Sequence, residues 1–224
     1  MADPVIGLIF HGLGTPFREL ESGEAPYWIS VKLFEAILDR VMALKDRSRV
    51  RLSFDDGNVS DYDIALPRLL ERGLHADFFV LSGRIGQAGS LSAGQIRALA
   101  KAGMGVGSHG IAHRDWRQTS AGELAAELSG SRATIEGVLG HAITTAGIPF
   151  GSYDARVLAE LRRAGYTAAY SSDRGPMDPQ SFLRPRTSVQ DGMTDATIAD
   201  ILSGRMPAGR RLRRAVGMFR RRWF

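Results

Sequence analysis

The chain has 224 residues, enough for one substantial domain or two small ones, and its 44% hydrophobic and 24% charged residues are ordinary for a globular protein. It has no cysteine, which excludes a disulfide framework and a thiolate metal site. The net charge of +5 comes from the end of the chain, because residues 201–224 hold eight arginines and no acidic residue. The remainder carries more acidic than basic side chains.

The start of the chain lacks the features of an export signal. Met1 to Pro4 contain no positively charged residue, and the apolar run at 5–10 is shorter than the core of a signal peptide. No stretch approaches the roughly 18 apolar residues that a membrane-spanning helix needs. The sequence therefore predicts a cytoplasmic location.

Strand-like runs and segments of helical spacing alternate along the chain. Strands are predicted at 5–10, 49–54, 76–81, 104–107, 144–148 and 167–171, and helices at 31–45, 62–71, 92–102, 120–139 and 155–164. Asp61 is the predicted N-cap of the second helix. This alternation predicts an α/β fold with a parallel sheet buried on both faces.

Four polar or turn-forming clusters follow predicted strands: His11, Asp55-Asp56, the pair His109 and His113, and the turn at 149–151. Active sites of (β/α) barrels form at the C-terminal ends of the strands, and open doubly wound sheets also bind ligands there. A barrel better explains how four separate strands contribute to one point. We therefore expect these clusters to meet.

The paired carboxylates of Asp55 and Asp56 repel each other unless a cation or a proton lies between them. His109 and His113, four residues apart, supply imidazoles for such a cation. Taken singly, Asp-Asp-Gly after a strand is commonly a turn, and two histidines one helical turn apart are commonly surface residues. Their joint presence favours a metal site.

Five segments together resemble the polysaccharide deacetylase family, which includes chitin, peptidoglycan and chitooligosaccharide N-deacetylases. They are Ser-Phe-Asp-Asp-Gly at 53–57, Glu-Arg-Gly at 71–73, Ala-Asp-Phe-Phe-Val at 76–80, Ser-His-Gly-Ile-Ala-His at 108–113 and Pro-Phe-Gly-Ser-Tyr-Asp at 149–154. The resemblance covers roughly residues 5–190 and implies a deformed (β/α) barrel with fewer than eight repeats and parallel strands. It also implies that Asp56, His109 and His113 bind one divalent metal, that Asp55 is the general base, and that the backbone at Phe150 receives the oxyanion.

The chemistry of amide hydrolysis needs such groups independently of the family. A His/His/Asp site with an open position lowers the pKa of a bound water toward about 7 and polarises the carbonyl. A second carboxylate beside it accepts the proton of the water. Imidazole and carboxylate ligands suit Zn²⁺ best, with Co²⁺, Ni²⁺ and Mn²⁺ left open.

Two departures from the family pattern concern the catalytic groups. Many members carry an arginine that orients the base where this chain has Gly147, and Arg186, more than Arg184, is the expected substitute. Many members also carry a late histidine that protonates the leaving amine, whereas this chain has no histidine after His141. His11 is the best spare acid, with a purely structural histidine as the equal alternative.

Aromatic residues in the loop at 23–28 and Trp116 are expected to be exposed and to line a glycan cleft, with packing under a long loop as the alternative. The function favoured is a metal-dependent N-deacetylase of an N-acetylated sugar or polysaccharide precursor. The missing late histidine favours a second reading, a non-catalytic or weakly active carbohydrate-binding relative. An amidase or lyase acting on a small cyclic amide is a third and weaker option.

The arginine-rich end predicts two units, a catalytic domain at 1–204 and a basic amphipathic tail at 205–224. Drawn as a helix, the tail has one basic and one apolar face, as interfacial membrane anchors do. A disordered basic end is the plainer reading, and no recognition motif supports nucleic-acid binding. We favour a weak peripheral contact with the anionic inner face of the membrane.

Overall fold

The computed structural model describes residues 4–223, except for the side chains of Arg210, Arg222 and Trp223. The strands are β1 (Val5–Phe10), β2 (Gly12–Leu13), β3 (Trp28–Ile29), β4 (Val50–Phe54), β5 (Ala76–Val80), β6 (Gly105–Ser108), β7 (Thr145–Gly147), β8 (Ala168–Ser171), β9 (Pro176–Met177), β10 (Leu183–Pro185) and β11 (Thr187–Ser188). The α-helices are α1 (Val31–Met42), α2 (Leu66–Glu71), α3 (Ala93–Lys101), α4 (Ala121–Leu139), α5 (Ala155–Arg163), α6 (Asp195–Ser203) and α7 (Ala208–Trp223).

The main sheet is a nearly closed barrel of mostly parallel strands. Its order is β10-β8-β7-β6-β5-β4-β1-β11, with β9 paired antiparallel to β1 and with β2 and β3 forming a separate small sheet. Its two edges, β10 and β11, are consecutive in the chain and are separated by Arg186 alone. The predicted α/β class, a deformed (β/α) barrel with fewer than eight repeats, is confirmed.

The strands form from short apolar runs whose alternate residues pack under the surrounding helices. In β4, Leu52 and Phe54 are buried against this layer, whereas Ser53 faces the barrel interior and donates from Oγ to the Leu8 carbonyl at 2.8 Å. The ring of Phe54 stacks on Phe10 and Phe78 at centroid distances of 5.2 and 4.7 Å. This aromatic row fixes neighbouring strands in register beneath the functional end of the barrel.

The helices begin and end where their capping residues predict. Ser92 and Ser120 each accept from the backbone N–H three residues on, and Gln95 and Glu123 return the bond in capping boxes. The second predicted helix differs, because a π-helical turn at Asp61–Ala65 precedes α2. The prediction that Asp61 is an N-cap is wrong, since its side chain is fully buried within this turn.

The C-terminal helix α7 packs on the barrel. Met218 is buried, Arg214 donates to the backbone carbonyls of Asp173 and Pro176, and Arg221 pairs with the Asp173 carboxylate. Phe224, which belongs to the predicted tail, lies outside the described residues. Within residues 4–223, no helix is both long enough and apolar enough to cross a membrane.

Candidate active site

The C-terminal ends of the barrel strands surround one cavity of about 300 Å³. It is lined by residues that follow β1, β4, β6, β7 and β8, and by the loop between β2 and β3. The residues predicted to meet do so here: His11, Asp55, Asp56, His109, His113, Phe150 and Arg186 all line it. Parallel strands direct their carboxyl ends to the same side, which is why segments distant in sequence converge.

Asp56, His109 and His113 form a compact cluster, with one ligand atom of each within 4.8 Å of the others. The Nε2 atoms of His109 and His113 lie 3.4 and 3.7 Å from Asp56 Oδ1. The His109 ring is fixed from behind, because its Nδ1 lies 2.9 Å from the Gly147 carbonyl oxygen. Donation from Nδ1–H to that carbonyl leaves Nε2 as an electron-pair donor facing Asp56.

The cluster fits a divalent cation. Asp56 Oδ1 is buried and has no hydrogen-bond partner among the described residues, and an unpaired buried carboxylate oxygen is costly unless a cation satisfies it. Asp56 also adopts a left-handed backbone conformation with φ 75°, uncommon for a non-glycine residue. Burial, more than the opposing pull of Asp55 and Asp56, lowers the pKa of His109 to about 4, so the ring is the neutral imidazole that metals bind.

Asp55 faces a buried guanidinium. Arg186 Nη1 and Nη2 donate to the two carboxylate oxygens at 2.8 and 2.9 Å, and Nη1 also donates to Ser53 Oγ at 2.8 Å. Asp55 and Arg186 are only 3% and 1% exposed. Burial acts to raise the pKa of Asp55, but the charge of Arg186, with His109 and the hydrogen bonds, holds it below its usual value. Asp55 is therefore an anion at neutral pH.

Gly147 and Arg186 both lie beside the Phe79 ring in the barrel interior. Gly147 carries no side chain, and a Cβ there would lie 3.0 Å from both His109 Nδ1 and Phe79. The guanidinium carbon of Arg186 lies 4.9 Å from the centroid of the Phe79 ring, within cation–π range. Arg184 instead donates to Tyr170 Oη at 2.8 Å. Of the two arginines considered from sequence, Arg186 is the one that contacts Asp55.

His11 lines the same cavity as Asp55, on the side formed by the β2–β3 loop. Its ring lies 4.9 Å from that of Tyr27, and its Nδ1 is buried without a hydrogen-bond partner in the described part of the chain. His11 therefore lines the cavity with no described hydrogen bond at Nδ1.

Phe150, whose backbone was predicted to receive the oxyanion, and Trp116, whose ring was predicted to line a glycan cleft, differ in position. Phe150 is 61% exposed at the cavity mouth, in a left-handed turn with φ 57°, and its ring stacks on His113 at 4.2 Å. Trp116 has no exposed surface and lies in the core, so the expectation that it is exposed and lines the cleft is wrong. Its ring packs beside Gly110 under the His109 to His113 loop, the alternative considered from sequence.

The sequence analysis assigned no role at the site to three acidic residues that lie near it. Glu127 of α4 accepts from the N–H groups of Ile111 and Ala112 at 2.8 and 3.1 Å, and so supports the histidine loop from below. Glu21 contacts His113 from the β2–β3 loop. Asp61 is buried, and its pKa is raised well above the usual value by burial and by the charges of the site. Of the three, only Glu127 could have been recognised from the sequence, because an acidic residue on the apolar face of a predicted helix is unusual.

A parallel barrel with a His/His/Asp cluster and an arginine-paired carboxylate in one cavity defines a (β/α)-barrel protein with a candidate metal site. The family model described as polysaccharide deacetylase matches residues 44–169, more than half of the chain. The chain therefore belongs to the polysaccharide deacetylase family.

Individual relatives agree with this assignment. YxkH of Bacillus subtilis (strain 168), provisionally named a polysaccharide deacetylase, is 25% identical over 147 residues, which are 65% of this chain and 53% of that protein. The match thus spans about half the length of this relative. The solved deacetylase PplD of Streptococcus pyogenes, in complex with acetate, has a TM-score of 0.77 at 19% identity and covers 89% of this chain and 98% of its own. IcaB of Ammonifex degensii has a TM-score of 0.71 at 20% identity, and the match covers 91% of this chain and 97% of IcaB. At these identities the two structures show the shared fold.

Proposed function

We propose that the protein is a metal-dependent hydrolase that removes N-acetyl groups from N-acetylated sugar units of a polysaccharide or its precursor. The observation that carries the proposal is the buried, arginine-paired Asp55 beside the unsatisfied Asp56 of the His/His/Asp cluster, all in one open cavity. Family membership agrees with it. The solved relative PplD holds acetate, the acid that such a reaction releases.

Asp56, His109 and His113 would hold the metal, most plainly Zn²⁺ given their imidazole and carboxylate donors. When bound, the ion supplies Lewis acidity that activates water and polarises the amide carbonyl. The protein holds the three donors without large rearrangement, because His109 is fixed through Gly147 and the loop carrying His113 is fixed through Glu127. Co²⁺, Ni²⁺ and Mn²⁺ remain alternatives on the same donors.

Asp55 acts as the general base. Its lowered pKa keeps it deprotonated at neutral pH, and Arg186 fixes both oxygens so that their remaining lone pairs face the cavity in one orientation. It takes a proton from the attacking water as the carbon–oxygen bond forms. The backbone of the turn at Phe150 lies at the cavity mouth, where the carbonyl oxygen gains charge.

His11 protonates the leaving nitrogen as the carbon–nitrogen bond breaks, which fills the role of the missing late histidine. Its unpartnered Nδ1 and its place in the cavity support this assignment. The alternative, a carbohydrate-binding relative without turnover, would have no use for a buried base held by Arg186. That pairing favours the enzyme over the binder.

Acetate release from a panel of N-acetylated oligosaccharides, measured with added Zn²⁺ or Co²⁺, tests the proposal. Asp55→Asn should retain the metal and lose most turnover, whereas His109→Ala should lose the metal. His11→Ala should slow amide hydrolysis by about 10²–10⁴-fold with its metal content unchanged, and should slow hydrolysis of an activated ester less, because a better leaving group needs less protonation. His141→Ala removes an exposed ring away from the cavity and is the matched control.

Absence of bound metal after reconstitution of the wild type would refute the active-site assignment. Normal turnover by Asp55→Asn would refute its role as base. Normal amide turnover by His11→Ala would remove it as the acid and favour the non-catalytic alternative. Metal binding without acetate release from any glycan of the panel would favour the same alternative.

The tail at 205–224 is proposed as a peripheral contact for an anionic membrane surface, appended to a catalytic unit at 1–204. On α7, Leu212 and Val216 are 68% and 50% exposed, and Arg211, Arg213 and Arg220 are exposed around them. Exposed apolar residues among cations match the boundary between acyl chains and anionic headgroups.

Co-sedimentation with phosphatidylglycerol vesicles, compared with phosphatidylcholine vesicles, measures this contact. Leu212→Asp/Val216→Asp should weaken binding to the anionic vesicles. Leu70→Asp, which adds one acidic side chain at an exposed apolar position of α2, should not. Equal binding to both vesicle types, or equal effects of both variants, would contradict the membrane contact.

A further inference from the structure

The two histidines of the cluster are held from behind by different groups. His109 has a backbone carbonyl at Nδ1, that of Gly147. His113 has a carboxylate instead, because Glu21 Oε2 lies 2.7 Å from its Nδ1. Both arrangements leave Nε2 directed toward Asp56. The second partner differs in kind, since it is a charged side chain from a loop rather than the backbone of a strand.

Glu21 is itself held in place. Its other carboxylate oxygen accepts from the Arg84 guanidinium, on the turn after β5. Its backbone N–H donates to Glu24 Oε2 at 2.8 Å, and its carbonyl accepts from the Glu24 N–H at 3.1 Å. Glu24 in turn pairs with Arg18, whose guanidinium reaches Asn58 Oδ1 at 3.0 Å. The loop between β2 and β3 is therefore fastened to the turns after both β4 and β5.

The hydrogen bond from His113 to Glu21 lies in a largely covered part of the site, where it can fix the orientation of the His113 ring. The His113 side chain is 14% exposed, because the Phe150 ring covers one face of it. A carboxylate that accepts from Nδ1–H fixes the tautomer and the ring orientation and raises the basicity of Nε2. No other acceptor in the described part of the chain bonds His113 Nδ1. Without Glu21, the ring has no group that selects Nε2 for the cluster.

We propose that Glu21 is a positioning residue for the metal site: it holds His113 as the Nδ1–H tautomer with Nε2 toward Asp56, and Arg84 holds Glu21. This inference rests on the proposed metal site. It also links two parts of the structure, because Glu21 belongs to the loop that forms one wall of the cavity. One contact therefore both holds this wall of the cavity and orients the ligand, so its loss weakens metal binding.

The test is a competition titration of the full-length protein with Zn²⁺ against a chromophoric chelator. Glu21→Ala should bind Zn²⁺ about 10–100-fold more weakly than the wild type, the range seen when an outer partner of a ligand is removed. Glu21→Gln keeps an acceptor oxygen for Nδ1–H and should recover part of the affinity. Glu19→Ala removes the same charge from the same loop, at an exposed side chain that makes no hydrogen bond to the site within the described residues, and should stay within about twofold.

Two further measurements separate orientation from general loosening of the loop. The imidazole ¹⁵N shifts of His113, assigned by their loss in His113→Ala, should report one tautomer in the wild type and a mixture in Glu21→Ala. Arg84→Met should weaken Zn²⁺ binding less than Glu21→Ala, and the double variant should be no weaker than Glu21→Ala alone, because Arg84 acts through Glu21.

The outcomes distinguish this inference from the proposed function. A wild type that binds no Zn²⁺, or a His109→Ala variant that binds it as tightly as the wild type, refutes the metal site itself. A wild type that binds Zn²⁺ together with a Glu21→Ala variant within twofold of it refutes only the role of Glu21. The role of Glu21 is also refuted if Glu19→Ala loses as much Zn²⁺ affinity as Glu21→Ala does. It is refuted likewise if the His113 tautomer is the same in Glu21→Ala as in the wild type.

Discussion

The floor and the rim of the cavity differ in solvent exposure and in the kind of element that carries their residues. The floor (Asp55, Asp56, His109 and Arg186) is 1–3% exposed and projects from strand ends or, for Arg186, from the junction of two strands. The rim (Glu21, Tyr27, His113 and Phe150) comes from loops, and the Glu21 side chain and Phe150 are 44% and 61% exposed. Charges on the floor interact in a low dielectric and are costly to leave unpaired, whereas rim charges are screened by water. An ion pair between a carboxylate and a guanidinium therefore affects the free energy of unfolding more on the floor than on the rim.

The largest difference should appear when one guanidinium is removed from each level. Arg186→Met leaves the Asp55 carboxylate buried without its partner, and breaking a buried pair in this way costs about 3–5 kcal/mol. Arg84→Met breaks the pair with Glu21 on the rim, where exposed ion pairs contribute below about 1 kcal/mol. Urea unfolding followed by circular dichroism measures both changes in the free energy of unfolding.

The double variant Asp55→Leu/Arg186→Met checks the cause. Replacing both members of a buried pair by apolar side chains of similar volume is often neutral. We therefore expect it to unfold at a higher urea concentration than Arg186→Met alone. If the single variant is the more stable of the two, the cost does not come from a stranded charge, and the distinction between floor and rim fails.

The next effect is the pH dependence of stability in protein stripped of metal by a chelator. The pKa of buried His109 falls from 6.5 to about 4 on folding, so between these values the unfolded chain binds a proton that the folded chain does not. Protonation of His109 in the unfolded chain therefore does not affect the free energy of unfolding above about pH 6.5. As the pH falls from 6.5 toward 4, it lowers that free energy by up to about 1.4 kcal/mol per pH unit. Asp61, whose pKa is raised by burial, acts in the opposite direction, so the contribution of His109 is the difference in pH dependence between the wild type and His109→Asn, measured from pH 7.5 to 4.5.

His109→Asn should flatten that slope, because the titrating ring is gone while an amide remains to bond the Gly147 carbonyl. His141→Asn removes a ring from the surface and should leave the slope as in the wild type. Equal pH dependence of the wild type and His109→Asn across this range would show that the floor does not exclude water from His109.

A smaller effect is expected where the two levels are joined. Glu127→Ala removes the acceptor of the partly buried Ile111 and Ala112 N–H groups, and the lost hydrogen bonds cost about 0.5–1.5 kcal/mol each. Glu127→Gln keeps one acceptor oxygen and should lose less. Amide hydrogen exchange should show faster exchange at residues 111 and 112 in Glu127→Ala, and unchanged protection there would contradict this support role.

The smallest effect is expected at the rim position with the strained backbone. Phe150→Gly relieves a left-handed conformation that costs a non-glycine residue about 1–2 kcal/mol, but it loses the ring contact with His113, worth about 0.5–1.5 kcal/mol. The free energy of unfolding should change by less than about 1 kcal/mol. Phe150→Ala loses the ring and keeps the strain, so it should be less stable than Phe150→Gly. The reverse order would mean that the turn is not strained.

The sequence predicted the floor better than the rim, for a physical reason. Asp55, Asp56 and His109 follow apolar strands directly, and parallel strands bring such positions to one end of the barrel whatever the loops do. Arg186 was expected only because the base needs a guanidinium, and its place depends on how the sheet edges meet. Glu21 carried no signal, because its partner lies 92 residues away and the loop conformation decides the contact.

Trp116 shows the opposite error. Its neighbours Arg114, Asp115, Arg117 and Gln118 are polar, so the local sequence indicated an exposed aromatic. The structure buries the ring under the histidine loop, because Gly110 leaves space for it and Arg156 holds the backbone carbonyl of Trp116 at 3.0 Å. Local polarity does not predict burial when a long loop folds back over the chain.

The junction of the two sheet edges has a consequence for the order of events during synthesis. Asp55 and Arg186 are 131 residues apart, so at about 5–20 residues per second the ribosome adds the arginine on the order of ten seconds after the aspartate. Until β10 and β11 have emerged, the nascent chain has an Asp55 without its Arg186 partner and a β1 edge without β11. The buried ion pair of the cavity floor therefore forms with one of the last pieces of the barrel, and a translation product that stops before residue 186 is released without it.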